Sequence, residues 1–170
     1  MARRAPASLR AQAVAWLAQR DHSERELRDK LLRWLRSAQP STALDAPSAE
    51  AQAAAVDDVL TWLRGRGYLD DQRFAAARAD GRAPRFGLAR IRHELGQLGV
   101  ELQAAQAEQL RATELVRAMA LWERRFGSPA ADSREAARQA RFLAGRGFSG
   151  DVVRQVLRAA GRLAGSPASD

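Results

Sequence analysis

Four arginines, Arg82, Arg85, Arg90 and Arg92, gather around Phe86 in one short stretch of the chain. A guanidinium presents its N–H donors in a planar fork that matches phosphate or carboxylate oxygens, and a neighbouring aromatic ring can stack on a base or on the guanidinium itself. The chemistry on offer is recognition of a polyanion or of an acid-lined protein groove. A solvated helix end with Phe86 turned into the core would produce the same residue pattern. Two further basic clusters repeat the theme: Arg25, Arg28, Lys30 and Arg33 in one, and Arg138, Arg141 and Arg146 in the other. In the first of these, Arg25 with Asp29, Glu26 with Lys30, and Asp29 with Arg33 stand four residues apart. Pairs at that spacing stabilise an exposed helix by about 0.2–0.5 kcal/mol each, so that cluster is equally consistent with a solvated face.

Catalytic chemistry finds little to work with. There are no cysteines, which excludes disulfides, thiolate metal sites and a cysteine nucleophile. His22 and His93 are the only histidines and have no partner at metal-ligand spacing. Asp70-Asp71 reads as helix-capping chemistry, and Gly65-Arg-Gly67 lacks the lysine and hydroxyl residue of a phosphate-binding loop. Trp16, Trp34, Trp62 and Trp122 all fall on apolar helical faces, where core packing outweighs base stacking as their use. The expectation is a binding protein without enzyme activity, metal or cofactor.

The chain has 170 residues and a net charge of +8, with Lys30 the only lysine among 28 basic residues. Excess positive charge favours an acidic or polyanionic partner, although GC-rich coding would also exchange lysine for arginine. No run reaches the roughly 18 uninterrupted apolar residues of a membrane span. At the N-terminus, Arg10 and Gln12 interrupt any signal-peptide core before Trp16 and Leu17, so this stretch reads as an amphipathic helix. A cytoplasmic location, without a membrane, is the expectation.

Positioning falls to helices, because apolar residues recur with helical spacing and no alternating strand pattern appears. About nine short helices are expected. The first, over 8–19, is followed by Ser23-Glu-Arg-Glu26, a capping-box signature that opens a second helix carrying Leu27, Leu31, Trp34 and Leu35. Residues 37–49, with Pro40 and Pro47, read as a loop insertion. A third helix over 50–64 turns Val56, Val59, Leu60 and Leu63 inward. A fourth is capped by Asp70 or Asp71, carries Phe74, and is broken by the stretch from Gly81 to Gly87. The fifth carries Leu88, Ile91 and Leu95. A sixth over 102–110 meets a seventh (Leu115, Met119, Trp122) at an undefined boundary, and Gly127-Ser-Pro129 ends the seventh. The eighth spans 134–144, and the ninth spans 151–160 with Ser149 as its cap.

One phrase recurs in this array: Leu63-Arg-Gly-Arg-Gly67-Tyr68, Leu95-Gly-Gln-Leu-Gly99-Val100 and Leu143-Ala-Gly-Arg-Gly147-Phe148. Each is the signature of a helix that stops in a left-handed glycine turn and folds its next, apolar residue back onto the leucine. Aligning Leu27/Leu31 with Ile91/Leu95, and Leu95 with Leu143, sorts the helices into three triplets: 1–67, 68–112 and 113–161, with a frayed tail over 162–170. Leu35 stands in the first triplet where the others have Gly99 and Gly147.

Four segments stand in order along the chain: Leu17-Ala-Gln-Arg-Asp-His-Ser-Glu-Arg-Glu-Leu-Arg-Asp-Lys-Leu31, then Gly67-Tyr-Leu-Asp-Asp-Gln-Arg-Phe74, then Ala89-Arg-Ile-Arg-His-Glu-Leu95 with Gly99, and Arg141-Phe-Leu-Ala-Gly-Arg-Gly-Phe148. In that order they resemble the RecX family, regulators of the RecA recombinase. The resemblance implies an all-α, elongated and curved body of three tandem three-helix repeats lying in the groove of the RecA–DNA filament. It also implies inhibition of the filament's ATPase, strand-exchange and coprotease activities, hence modulation of recombination and the SOS response, by a monomer with at most weak DNA contact of its own. An autonomous helical DNA-binding module is the alternative that the charge alone allows.

Overall fold

The computed structural model describes residues 8–38 and 47–165, with side chains as far as Arg162. Most of the 37–49 insertion and the end of the tail lie outside the described residues. Nine helices follow one another among the described residues, with no strand: α1 (Leu9–Leu17), α2 (Glu24–Ala38), α3 (Ala49–Gly65), α4 (Asp71–Arg82), α5 (Leu88–Gln97), α6 (Ala104–Ala112), α7 (Glu114–Arg125), α8 (Ser133–Gly145) and α9 (Gly150–Gly165). They divide into two compact units, Met1–Ala75 with Leu98–Val100, and Ala76–Gln97 with Glu101–Asp170.

In the first unit, Ala13, Leu27, Leu31, Val56, Val59, Leu60, Leu63 and Leu69 form the core, with Trp16 and Trp62 packed at its margin. Its helix starts use side-chain oxygens to satisfy orphan backbone donors. Ser8 accepts from Ala11 N at 3.2 Å, and Ser48 accepts from Ala51 N at 3.2 Å. Half of the expected capping box at α2 forms: Ser23 Oγ accepts from Glu26 N at 3.1 Å and donates to Leu98 O at 2.8 Å. The other half is replaced, because the Glu26 carboxylate is drawn away to the Arg20 guanidinium and lies 3.2 Å from His22 Nδ1. The neighbouring acids Asp70 and Asp71 divide the capping work between two helices. Asp70 Oδ1 accepts from Gln72 N and Arg73 N to open α4, whereas Asp71 Oδ1 accepts from Glu24 N at 2.8 Å to open α2.

His22 packs beside this cap, next to Glu26. Its side chain is 1% exposed, and its Nδ1 touches Glu26 without the alignment of a hydrogen bond. Burial, reinforced by the Arg20 charge, pushes its pKa below the ordinary value and keeps the imidazole neutral.

The second unit carries a core of Ala118, Leu121, Trp122, Leu143, Phe148, Val153, Val156 and Ala160. A buried amide serves it: Gln139 Oε1 accepts from Trp122 Nε1 at 2.8 Å, and Gln139 Nε2 donates to Ser128 O at 3.3 Å. Helices α6 and α7 are separated by Thr113 alone, whose hydroxyl lies 3.1 Å from Gln109 O. The inward register of α7 differs from the expected Leu115–Met119–Trp122 face. Glu114, Ala118, Leu121 and Trp122 are buried, Met119 is half-buried and Leu115 is 37% exposed, because Glu114 turns inward to a backbone donor described below. Likewise α4 runs through Gly81 to Arg82, two residues into the stretch expected to break it.

All three glycine stops take the left-handed conformation, with φ of 71° at Gly67, 75° at Gly99 and 82° at Gly147. At Gly67 and Gly147 the paired bonds of the turn are complete: Gly67 N to Arg64 O and Tyr68 N to Leu63 O, and Gly147 N to Ala144 O and Phe148 N to Leu143 O.

Candidate functional site

The Phe86 cluster is built by two helices and the segment joining them. Arg82, on the last turn of α4, grips Glu94 of α5 as a two-pronged fork, with Nε at 2.8 Å from Oε2 and a terminal nitrogen at 2.5 Å from Oε1. Arg90 adds a contact to the same carboxylate at 3.1 Å. Glu94 is therefore held below the usual carboxylate range, chiefly by the Arg82 hydrogen bond and then by Arg90, against an opposing contribution from burial. Both guanidiniums also lie over Phe86, Arg82 at 4.2 Å and Arg90 at 5.7 Å from the ring centre, and Arg146 approaches it at 5.4 Å.

From there the stacking continues. Arg146 lies 5.1 Å from the centre of Phe142, Phe142 meets Phe126 edge-on at 5.4 Å, and Arg138 and Arg125 lie over Phe126. Alternating arginines and phenylalanines thus tie α4, α5, α7 and α8 together. Phe86 is half-buried, so it is neither a core residue nor an open stacking platform.

The Arg82–Glu94 pair gives a pH signature. A depressed folded pKa means that the pair's stabilisation is complete above the ordinary value of 4.5 and is lost as pH falls through the lower folded value. Glu94→Gln is expected to cost about 1.5–3 kcal/mol at neutral pH, the range for hydrogen bonds to charged groups. Urea denaturation at stepwise lower pH should show the gap between the variant and the parent closing. A constant gap would mean that the carboxylate charge is not what the arginines hold.

Two side chains of α7, invisible as functional residues in the sequence, set the position of α5 beneath this cluster. The buried Glu114 carboxylate accepts from Leu88 N at 2.8 Å, placing negative charge at the N-terminus of α5, where the helix dipole favours it. One turn on, the Arg117 guanidinium donates to Ala83 O at 2.6 Å, Phe86 O at 2.9 Å and Leu110 O at 2.7 Å. It satisfies carbonyls after α4 and near the end of α6 that no helix can satisfy internally. Burial lowers the Arg117 pKa and Glu114 partly offsets this, so the group remains a cation. The only sequence signal for this arrangement is an acid and a base three residues apart at a helix start, which thousands of exposed helices share.

The remaining predicted residues divide by whether the protein itself occupies them. On α2, Arg28 pairs with Asp57 of α3 at 2.9 Å, the Lys30 ammonium sits 4.2 Å over Trp16, and the Arg25 side chain lies across Gly99. None of the three expected i,i+4 pairs is present among the described residues, because these partners are engaged elsewhere or point to solvent. Arg138 pairs with Glu135 at 3.2 Å and borders a shallow hollow of about 390 Å³ together with Arg134 and Arg141. Arg33, Arg85, Arg92 and Arg141 are exposed and have no ion-pair partner among the described residues. Arg92 and Arg111 border a second hollow of about 470 Å³, floored by Leu88, Ala89 and Val152. His93 is exposed and contacts Gln97 at 3.1 Å. No cluster of three or more potential metal ligands occurs among the described residues, and no described helix is long and apolar enough to cross a membrane.

Comparison with known proteins gives the arrangement its family. The family description "RecX, third three-helix domain" matches residues 112–157. A protein of Leptothrix cholodnii named "Regulatory protein RecX" is 48% identical over 155 residues, covering 90% of this chain and 89% of that one. Another of the same name, from Ralstonia pickettii, is 43% identical over 162 residues, covering 94% and 92%. The crystal structure of RecX from Lactobacillus salivarius superimposes with a TM-score of 0.65 over 91% of this chain and 95% of that one, at 16% identity, which speaks for the fold. With nine helices among the described residues and relatives of this identity along nearly its whole length, the chain belongs to the RecX family of regulatory proteins.

Proposed function

We propose that this protein binds the RecA–DNA filament and inhibits its ATPase, strand-exchange and coprotease activities, and so modulates recombination and the SOS response. Family membership supports the partner, and the arginines left without partners among the described residues support the surface. Arg33, Arg85, Arg92 and Arg141, with Arg25 beside Gly99, carry the primary contacts. Arg82, Arg90 and Arg146 contribute the rigid backing on which Arg85 and Arg92 stand. Arg28, Lys30 and Arg138, each already engaged within the chain, contribute secondary charge. The protein acts as a cytoplasmic monomer, by occupying a surface rather than by catalysis, and needs no cofactor. Three repeats, over 1–67, 68–112 and 113–161, divide that surface.

The test is ATP hydrolysis by preformed recombinase filaments. Added protein lowers it, and combined charge reversal of Arg85, Arg92 and Arg141 raises the concentration needed by at least about tenfold, as expected for losing roughly 1.4 kcal/mol or more of complementary charge. Helical content, read by circular dichroism, stays unchanged. Unaltered hydrolysis in the presence of the parent protein would overturn the function, whereas full inhibition by the triple variant would remove these three residues from the interface.

A further inference from the structure

The glycine stop after α3 differs from its two counterparts in where it sends the next side chain. Val100 and Phe148 are each 4% exposed, the folded-back apolar residue that such a turn buries, whereas Tyr68 is 50% exposed. Tyr68 is nonetheless held firmly. Its own N–H is donated to Leu63 O at 3.0 Å, that of Gly67 to Arg64 O at 3.0 Å, and its ring leans on Trp62 with centroids 6.1 Å apart. Trp62 packs inward on the first core and carries two guanidiniums over its ring, Arg66 at 5.0 Å and Arg10 at 5.3 Å.

Neither Arg10 nor Arg66 has an ion-pair partner among the described residues. Arg64 pairs with Glu24 at 3.3 Å, and the Asp70 carboxylate is taken up by the start of α4 and by Arg73. The half-exposed Tyr68 ring is thus held by a rigid turn against a tryptophan that carries two guanidiniums, neither of them in an ion pair among the described residues.

The geometry points to a stacking site for single-stranded nucleic acid on this face of the first unit. A base stacks on the open side of the Tyr68 ring, and Arg10 and Arg66 hold the adjoining phosphates. A guanidinium lying over a ring keeps its edge N–H groups free, and stacking tolerates any base because every base has a π face. Tyrosine, tryptophan and arginine also make protein hot spots, but the core of a protein interface is depleted of charge. Here two guanidiniums without ion-pair partners among the described residues lie over the neighbouring Trp62, which favours a polyanionic strand. The site is independent of the recombinase reading.

The experiment measures anisotropy of a labelled oligothymidylate titrated with the full chain, without recombinase. Tyr68→Ala weakens binding by about 5- to 150-fold, the loss expected for one stacked base, while Tyr68→Phe stays within about twofold because it keeps the π face. On an oligomer made abasic throughout, the parent and Tyr68→Ala bind alike. Arg66→Gln lowers the slope of log affinity against log salt by about 0.7, as for one lost phosphate contact on a single strand. Equal affinity of the parent and Tyr68→Ala for oligothymidylate would overturn the site, as would an equal loss on the abasic strand. If Tyr68→Ala binds the oligomer normally but no longer inhibits filament ATPase, the patch is a protein contact. That outcome would reject the nucleic-acid assignment and leave the proposed function standing.

Discussion

Replacing Arg117 with methionine is expected to destabilise the second unit by about 3–5 kcal/mol, the range for breaking one side of a buried charged network. The stem of methionine fills similar space, so the loss isolates the guanidinium. Three carbonyl oxygens, of Ala83, Phe86 and Leu110, accept from this one group; the variant removes that donor from all three and leaves Leu110 O only the Thr113 hydroxyl at 3.3 Å. Hydrogen bonds to a charged group are worth roughly 1.5–3 kcal/mol each, though three that share a donor do not add. The Glu114 carboxylate, buried against Leu88 N, also loses its nearby cation. Arg117→Lys should recover only a minor part, because an ammonium cannot span acceptors arranged around a planar fork. Urea denaturation followed by far-ultraviolet circular dichroism reads the effect. A loss under about 1 kcal/mol for the methionine variant would show that water replaces the guanidinium at these helix ends.

Alanine at the three glycine stops is expected to give three different costs, with Gly147→Ala the largest. An L-residue in the left-handed region costs about 1–2 kcal/mol wherever it stands. At Gly67 nothing lies within 4 Å of an added Cβ, so that strain is the whole cost. At Gly99 the Cβ would come within 2.8 Å of Arg25 Cδ, part of a flexible side chain that can swing aside. At Gly147 it would fall 2.5 Å from Arg90 Cβ and 2.6 Å from Arg90 N, and the backbone of α5 cannot swing aside. Adding about 1–3 kcal/mol of overpacking to that strain brings the variant to roughly 2–5 kcal/mol. Gly87→Ala probes the same approach from the other side. Its Cβ would lie 2.1 Å from Gly147 O, where Gly87 N now donates to Arg146 O at 3.0 Å. Thermal denaturation of the four variants orders them, and equal losses at Gly67 and Gly147 would show that the contact with α5 carries no energy.

The same residues show what could be read in advance. Leu63, Leu95 and Leu143 are buried as the stop phrase requires, and Gly67, Gly99 and Gly147 all have positive φ. Val56, Val59, Leu60 and Leu63 face inward from α3 as their spacing implies. Trp122 is buried and Trp16 and Trp62 pack on a core, but Trp34 is only half-buried and stands apart from the first core. The departures fall where a side chain serves something other than its own helix start. Glu26 leaves its capping box for Arg20, and Glu114 turns inward to Leu88 N and shifts the buried face of α7, whereas Asp70 caps α4 as expected and leaves Asp71 to cap α2.

The division has a physical reason. Helix periodicity, glycine turns and serine or aspartate caps depend on residues within about one turn of each other, so a linear sequence contains everything that determines them. By itself the chain determined an all-α array, where its helices stop, and the ordered motifs of its family. The partners that arginines find on other helices depend on which helices meet, and that is decided only when apolar faces pack across long sequence separations. Tertiary structure alone therefore brought Arg82 to the Glu94 carboxylate that Arg90 reaches at i,i+4 spacing, left Arg85 and Arg92 in solvent, and made Gly147 a point of backbone contact while its counterpart Gly67 stayed open, with Tyr68 exposed beside it.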